Sequence, residues 1–148
     1  MSRGEAEGVV IQTDAAAELA LAALLDACDR ALGGPMGWEA SAGGPFQAWA
    51  APDALRSIVG RVGRRGGPLS RLSLVVVDLL PKTPTGSRFR VRVRDLALAG
   101  DRFAARLRHR AALDAVLAVV GFPLTEVTWL EPEARVRLPR RRPTTRKR

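Results

Sequence analysis

The chain has 148 residues, of which 47% are hydrophobic, and its formal net charge at neutral pH is +9. This length and apolar content allow one domain with a hydrophobic core. With a single cysteine (Cys28) and a single histidine (His109), the composition excludes a disulfide framework, a cysteine-based zinc site and a histidine-rich metal site. There is no run of about 18 apolar residues and no signal-peptide pattern, so we expect a cytoplasmic protein without a membrane partner.

The charges are distributed unevenly along the chain. Residues 1–54 carry eight acidic side chains and two arginines, whereas residues 55–130 carry fourteen basic and five acidic side chains. Residues 135–148 add eight basic side chains and no acid. This asymmetry favours a polyanionic partner, first of all a nucleic acid. Halves of opposite charge are also compatible with head-to-tail self-association or with a protein partner.

Hydrophobic periodicity and turn residues predict, in chain order, a strand, a helix, a hairpin, a helix, two strands, a helix and a strand. The expected ranges are 9–12, 14–32, 37–42 with 45–50, 52–63, 72–80 with 88–98, 101–120 and 124–130. We expect the aromatic residues of the first hairpin to anchor a loop to the core. Cys28 falls in the buried stripe of the first helix and has no activating partner in the sequence, so we expect a core residue.

This element order predicts an α+β (or α/β) fold, with about three helices packed on a single mixed sheet and a central β-β-α-β unit. One domain is expected to span residues 1–133. Residues 134–148 have no core-forming pattern and are expected to form a flexible basic tail.

The central hairpin carries the residues that are candidates for a chemical role. Residues 72–80 form an almost unbroken apolar run, typical of a strand covered on both faces, and Asp78 lies inside that run. From residue 88 the pattern alternates strictly, so that four arginines share one face and Asp95 falls on the core-facing parity. The four arginines are Arg88, Arg90, Arg92 and Arg94. A buried carboxylate is costly unless it is paired, hydrogen-bonded or bound to a metal, so both acids are candidates for a site or for a purely structural role.

The turn of this hairpin resembles a signature near the C-terminal end of adenylate-forming enzymes, the acyl-CoA synthetase and ligase superfamily. There a strand leads into Leu-Pro-Lys-Thr-Pro-Thr-Gly-Lys, and an arginine follows four residues after the glycine. Residues 80–86 and Arg90 match this pattern. The resemblance implies a role in adenylation for the lysine after the glycine, but Ser87 stands there and cannot supply its charge.

A longer part of the chain resembles restriction-endonuclease-like domains, in particular those similar to very-short-patch-repair endonucleases. The shared layout is an acidic strand, a hairpin, a second acidic strand, a basic helix and a closing strand. The resemblance implies that Asp78 and Asp95 hold a divalent metal that activates water against a phosphodiester. The lysine that this family has two residues beyond its second acid is Ala97 here, which implies a degenerate domain that binds without cleaving.

The best interpretation of the sequence is a small basic protein that binds DNA or RNA through charge, without catalysis and without a cofactor. Its candidate contacts are the four hairpin arginines, Arg106 and Arg110 of the last helix, and six residues of the tail. Those six are Arg140, Arg141, Arg142, Arg146, Lys147 and Arg148. Three alternatives stay open. One is a metal-dependent nuclease that uses Asp78 and Asp95, and another is an assembly component whose basic tail binds a partner in a larger complex. The third is a relic of an adenylate-forming enzyme, which predicts a partner chain carrying the missing large domain.

Overall fold

The computed structural model describes residues 7–62, 69, 73–81, 86–95 and 102–131, with the side chains of residues 102 and 103 left out. This part of the chain forms an α+β fold, and the predicted tail at 134–148 lies outside it. The elements are β1 (Gly8–Thr13), α1 (Ala17–Ala31), β2 (Gly37–Ala40), a 3-10 turn (Gln47–Trp49), β3 (Arg56–Arg61), β4 (Ser73–Leu80), β5 (Ser87–Asp95), α2 (Arg102–Val119) and β6 (Glu126–Leu130). No helix among the described residues has the length and apolar content needed to cross a membrane.

All six strands belong to one sheet in the order β2-β3-β4-β5-β1-β6, and every neighbouring pair is antiparallel. The single sheet and the β4-β5-α2-β6 unit confirm the predicted architecture, whereas the expectation of a mixed sheet was wrong. Each helix joins two strands that run in the same direction but are separated by other strands. The sheet therefore contains helical crossovers and no parallel pair.

One face of the sheet, here called the inner face, packs against both helices. The central contacts are made by fully buried side chains from β1, β4, β5 and the two helices: Ile11, Val75, Val77, Phe89, Val91, Leu24 and Leu113. Burial of each such side chain contributes roughly 1.5–3 kcal/mol, before the entropy of ordering it. Cys28 lies in this core, and burial raises the pKa of its thiol to about 12, so it is the inert core residue that the sequence predicts.

The other face, here called the outer face, is partly covered by residues 41–55, the covering loop that links β2 to β3. Phe46 and Trp49 of this loop pack on Val59, Leu74 and Val76 of the sheet. These contacts confirm that Phe46 and Trp49 anchor a loop and that β4 is covered on both faces, whereas Trp38 belongs to strand β2. The predicted hairpin at 37–42 and 45–50 was wrong, because β2 pairs with β3 and the second segment turns across the sheet.

Residues 52–62 form a strand and its approach, not the predicted second helix, so the described part of the chain has two α-helices where about three were expected. The spacing of Ile58, Val59 and Val62 fits a helix, but it also arises in a strand buried on both faces, where alternation is lost. Gly60 favours the strand, because the ring of Trp38 on β2 occupies the space that a β-carbon would need. Glycine also disfavours a helix interior by about 1 kcal/mol.

Candidate functional site

Asp78 is fully buried on the outer face of β4, directly opposite Arg90 of β5. One carboxylate oxygen, Oδ1, accepts a 2.6 Å hydrogen bond from the Ser57 hydroxyl. The other, Oδ2, accepts from Nε of Arg90 at 2.9 Å and from Nε of Arg92 at 3.0 Å. A buried carboxylate with two guanidinium partners and a hydroxyl donor has its charge compensated, which identifies Asp78 as the centre of an ion network.

The two arginines of this network also hold the covering loop. Arg90 also donates two hydrogen bonds, from Nη1 and Nη2 at 2.9 and 2.8 Å, to the carboxylate of Asp53. Arg92 donates from Nη2 to the backbone carbonyl of Trp49 at 3.0 Å. The hydrogen bonds from Arg90 lower the pKa of Asp53, and the bonds to Asp53 and Asp78 raise the pKa of Arg90. Arg90 and Arg92 therefore tie the covering loop to the sheet, and their side chains are 16% and 18% exposed.

Asp95, at the end of β5, is in register with the residues of the inner face and has different partners from Asp78. The Ser73 hydroxyl donates to its Oδ1 at 2.8 Å, and Nε2 of His109 lies 3.2 and 3.3 Å from its two oxygens. Since His109 belongs to α2, this carboxylate connects the helix to the end of the β4–β5 hairpin.

The structure does not bring Asp78 and Asp95 together. They project from opposite faces of the sheet, and Asp95 lies five residues along β5 from the partner of Asp78, roughly 16 Å at strand spacing. No cluster of three or more His, Cys, Asp or Glu that could hold a metal occurs among the described residues. Both oxygens of Asp78 are already occupied by cationic or hydroxyl donors. The donor set therefore does not fit the two-acid metal centre that the endonuclease resemblance implies.

Acidification is expected to destabilise the protein through His109. Burial lowers the pKa of this imidazole below 6.5, Asp95 raises it, and Arg108 and Arg106 lower it. Because the unfolded chain binds the proton more readily, this contribution to stability is present above pH 6.5 and is lost as pH falls through the lower folded pKa. Urea midpoints measured from about pH 7.5 to 5 should fall more for the natural protein than for His109→Asn. Parallel midpoint curves for the two proteins would contradict this role.

Two exposed arginines occupy one row across the outer face. Arg61 of β3 and Arg94 of β5 both pair with Leu74 of β4, which lies between them. The guanidinium of Arg61 lies over the ring of Phe46 at 5.8 Å, and that of Arg94 lies over Trp49 at 5.7 Å. A cation held over an aromatic ring keeps its charge and its N–H edge available to an anion.

The remaining predicted arginines have varied surroundings. The side chain of Arg88 is half-buried, and its guanidinium makes no ion pair or hydrogen bond within the described part of the chain. Arg106 lies 3.9 Å from Glu7. Arg110 lies 3.4 Å from Asp114 and stacks 3.6 Å from the centre of the Trp129 ring. The tail residues Arg140, Arg141, Arg142, Arg146, Lys147 and Arg148 lie outside the described residues.

The structure describes some of the residues that carry the two family resemblances. Ser87, which replaces the adenylation lysine, is buried and donates its hydroxyl to the backbone carbonyl of Ala15 at 2.9 Å. Its role here is to join the start of β5 to the loop before α1. Residues 82–85 of the turn and Ala97 lie outside the described residues.

The acidic first part and the basic second part of the chain neutralise each other locally. Among the described residues, three ion pairs connect them, between Glu7 and Arg106, Glu18 and Arg56, and Asp53 and Arg90. These pairs already use part of the opposite charge that suggested head-to-tail self-association.

Comparison with known proteins adds no family to this description. No protein-family model, curated protein or solved structure matches the chain.

Proposed function

We propose that this is a small cytoplasmic protein that binds nucleic acid through charge, without reading base sequence and without catalysing a reaction. The observation that supports the proposal is the position of Arg61 and Arg94. Both are exposed, and both lie at the end of the sheet where β3 and β5 end. We call the surface around Arg61 and Arg94 the basic end.

The strand order supports the basic end as the binding surface, because the strands that end there are followed in the sequence by basic segments. Gly8 pairs with Arg92 on one side and with Leu130 on the other, so β6 ends at the same end of the sheet as β5. From β6 the chain continues into the segment that carries eight basic residues at 135–148. From β3 it continues into residues 63–72, which contain Arg64, Arg65 and Arg71 and no acid. Clustered cations neutralise phosphates and release their counterions, which is the main source of non-specific affinity.

The proposal leaves Arg90 and Arg92 out of the binding surface. Their guanidinium groups are committed to Asp78, Asp53 and the covering loop, so a phosphate would have to displace a buried carboxylate to reach them. The predicted row of four arginines thus divides into two residues that bind Asp78 and two residues, Arg88 and Arg94, that do not. Arg94 belongs to the basic end, whereas Arg88 lies towards the other end of the strand.

Replacing Arg61 and Arg94 by alanine should weaken binding to duplex and single-stranded DNA alike. We expect a loss of about tenfold at low salt, and a decrease of about 2 in the slope of log affinity against log salt. Fluorescence anisotropy across a salt series, with DNA, RNA and heparin as ligands, measures both quantities. The thermal midpoint should change little, because each cation–π contact contributes only about 0.5–1 kcal/mol at an exposed site.

A matched control variant removes two arginines that lie outside the basic end. Arg30 of α1 and Arg56 at the start of β3 are also exposed, and their double alanine variant should lose much less affinity. An equal loss in the two double variants would contradict the basic end as the binding surface. Equal affinity for heparin and for nucleic acid at every salt concentration would reduce the function to general polyanion binding.

A further inference from the structure

The strand β6 ends the sheet and has one neighbour, β1, among the described elements. The carbonyl oxygen of Leu130 accepts a hydrogen bond from the N–H of Glu7 at 2.8 Å, so Leu130 directs its backbone groups towards β1. Backbone groups alternate in direction along a strand. Val127 and Trp129 consequently direct their N–H and C=O groups away from the sheet, where the described structure provides no strand to bind them.

This edge has few of the features that prevent pairing with another strand. Between Glu126 and Leu130 there is no proline and no basic residue, and Glu126 is the one charged side chain. Apolar surface accompanies the free backbone groups. Val127 is 40% exposed, and Leu107 of α2, which precedes Arg110 by three residues, is 39% exposed; Arg110 itself contacts the Trp129 ring of β6. An unprotected edge with adjacent apolar side chains is a template for an added strand.

We propose that β6 pairs antiparallel with β6 of a second copy of this chain, about a two-fold axis at Thr128. With this register, Val127 of each copy lies opposite Trp129 of the other, and their outward N–H and C=O groups form four hydrogen bonds. Val127 and Trp129 share the inner face with Val9 and Ile11, to which they pair in β1. The same register therefore places an apolar pair on the helix-covered side of the joined sheet.

Charge complementarity across the axis favours a second copy over an unrelated strand. Arg106 lies near Glu7 and Arg110 lies over Trp129, so α2 runs antiparallel to β6. Nε of Arg110 is buried without a hydrogen-bond partner, although Asp114 lies 3.4 Å away. The side chain of Asp114 is 58% exposed one helical turn further on. Two antiparallel α2 helices related by the axis bring Arg110 of each copy towards Asp114 of the other.

The dimer has a consequence for the arrangement of the basic ends. An antiparallel β6 pair continues the six strands into twelve and places the two Leu130 residues at opposite ends of the joined sheet. The last residues of the two β6 strands are then separated by the length of the paired strands. This inference rests on the edge and on α2, and it holds whether or not the protein binds nucleic acid.

The test combines molar mass with a directed disulfide in the full chain. Light scattering after size-exclusion chromatography should give twice the monomer mass of 15.9 kDa. Val127→Pro removes an outward N–H and leaves the β1 ladder intact, and it should weaken dimerisation at least tenfold. Thr128→Cys should form an intermolecular disulfide under mild oxidation, because the two positions face each other in a non-hydrogen-bonded pair.

Glu39→Cys on the exposed edge strand β2 is the matched control and should cross-link far more slowly, while buried Cys28 contributes nothing to either reaction. A monomeric mass at every concentration overturns the proposal. A dimer that Val127→Pro leaves unchanged, or that cross-links equally through either cysteine, places the interface elsewhere and also overturns it. Loss of the dimer on deletion of residues 135–148 would assign the edge to the tail, which is the third overturning result.

Discussion

Asp78→Asn is expected to destabilise the protein by about 3–5 kcal/mol, the usual cost of removing one partner from a buried ion pair. The substitution keeps the shape of the side chain but leaves Arg92 without a carboxylate among the described residues, where its guanidinium otherwise binds only the Trp49 carbonyl. Arg90 keeps Asp53 as a counter-charge. Urea or guanidinium unfolding, followed by circular dichroism, measures the free energy of unfolding directly.

Two companion variants separate the buried network from ordinary surface charge. Asp53→Asn removes a carboxylate that is 63% exposed, and we expect a much smaller loss because water replaces the missing partner of Arg90. Replacing Asp78, Arg90 and Arg92 together by leucine, methionine and methionine should restore most of the stability lost in Asp78→Asn. Apolar groups of similar volume need no compensating charge, and such replacements are often neutral or stabilising.

Similar losses in Asp78→Asn and Asp53→Asn would contradict the assignment of Asp78 as the centre of the network. A triple variant that is less stable than Asp78→Asn would mean that the arginines stabilise the fold through contacts other than this carboxylate. The single and triple variants therefore test the charge and the packing separately.

The pattern of the hairpin predicts which side chains share a face, but not what those side chains bind. Strict alternation after Ser87 places Arg90, Arg92 and Arg94 on one face, and the structure confirms this parity. Alternation did not predict the ion partners of Arg90 and Arg92, because Asp53, which binds Arg90, lies 37 positions earlier in the chain. Alternation is a local property of the sequence. The partner of a guanidinium group depends on which loop crosses the face of the sheet, and a local pattern does not predict that.

The same limit explains why the sequence did not predict Arg61 as part of the proposed binding surface. The predicted helix at 52–63 includes Arg61, and only the actual place of Arg61 on β3 brings it into one row with Arg94. The two aromatic rings under these arginines come from the covering loop, whose glycine-rich sequence indicates a turn without indicating its direction. A sequence signal was present in the β-branched pair Ile58-Val59 followed by Gly60, which favours a strand over a helix.

Deletion of residues 135–148 is expected to have the largest effect on binding. The segment contains eight basic residues and no acid, and each phosphate contact contributes about 0.9 to the slope of log affinity against log salt. If half of these residues contact phosphates, the slope falls by about 4 and the affinity near 0.1 M salt falls by roughly three orders of magnitude. Anisotropy titrations of the full and truncated chains at several salt concentrations measure both changes.

Two further variants decide whether charge alone explains the effect. A tail with the same composition in scrambled order should bind like the natural chain, whereas a tail with its eight basic residues replaced by glutamine should bind like the truncation. Because phosphate contacts carry no sequence information, the preference among DNA sequences should be equally weak in all four proteins. A truncated chain with unchanged affinity and slope would remove the tail from the mechanism and leave Arg61 and Arg94 to account for binding. A scrambled tail that fails to bind would replace the charge-driven mechanism with recognition by a specific sequence in the tail.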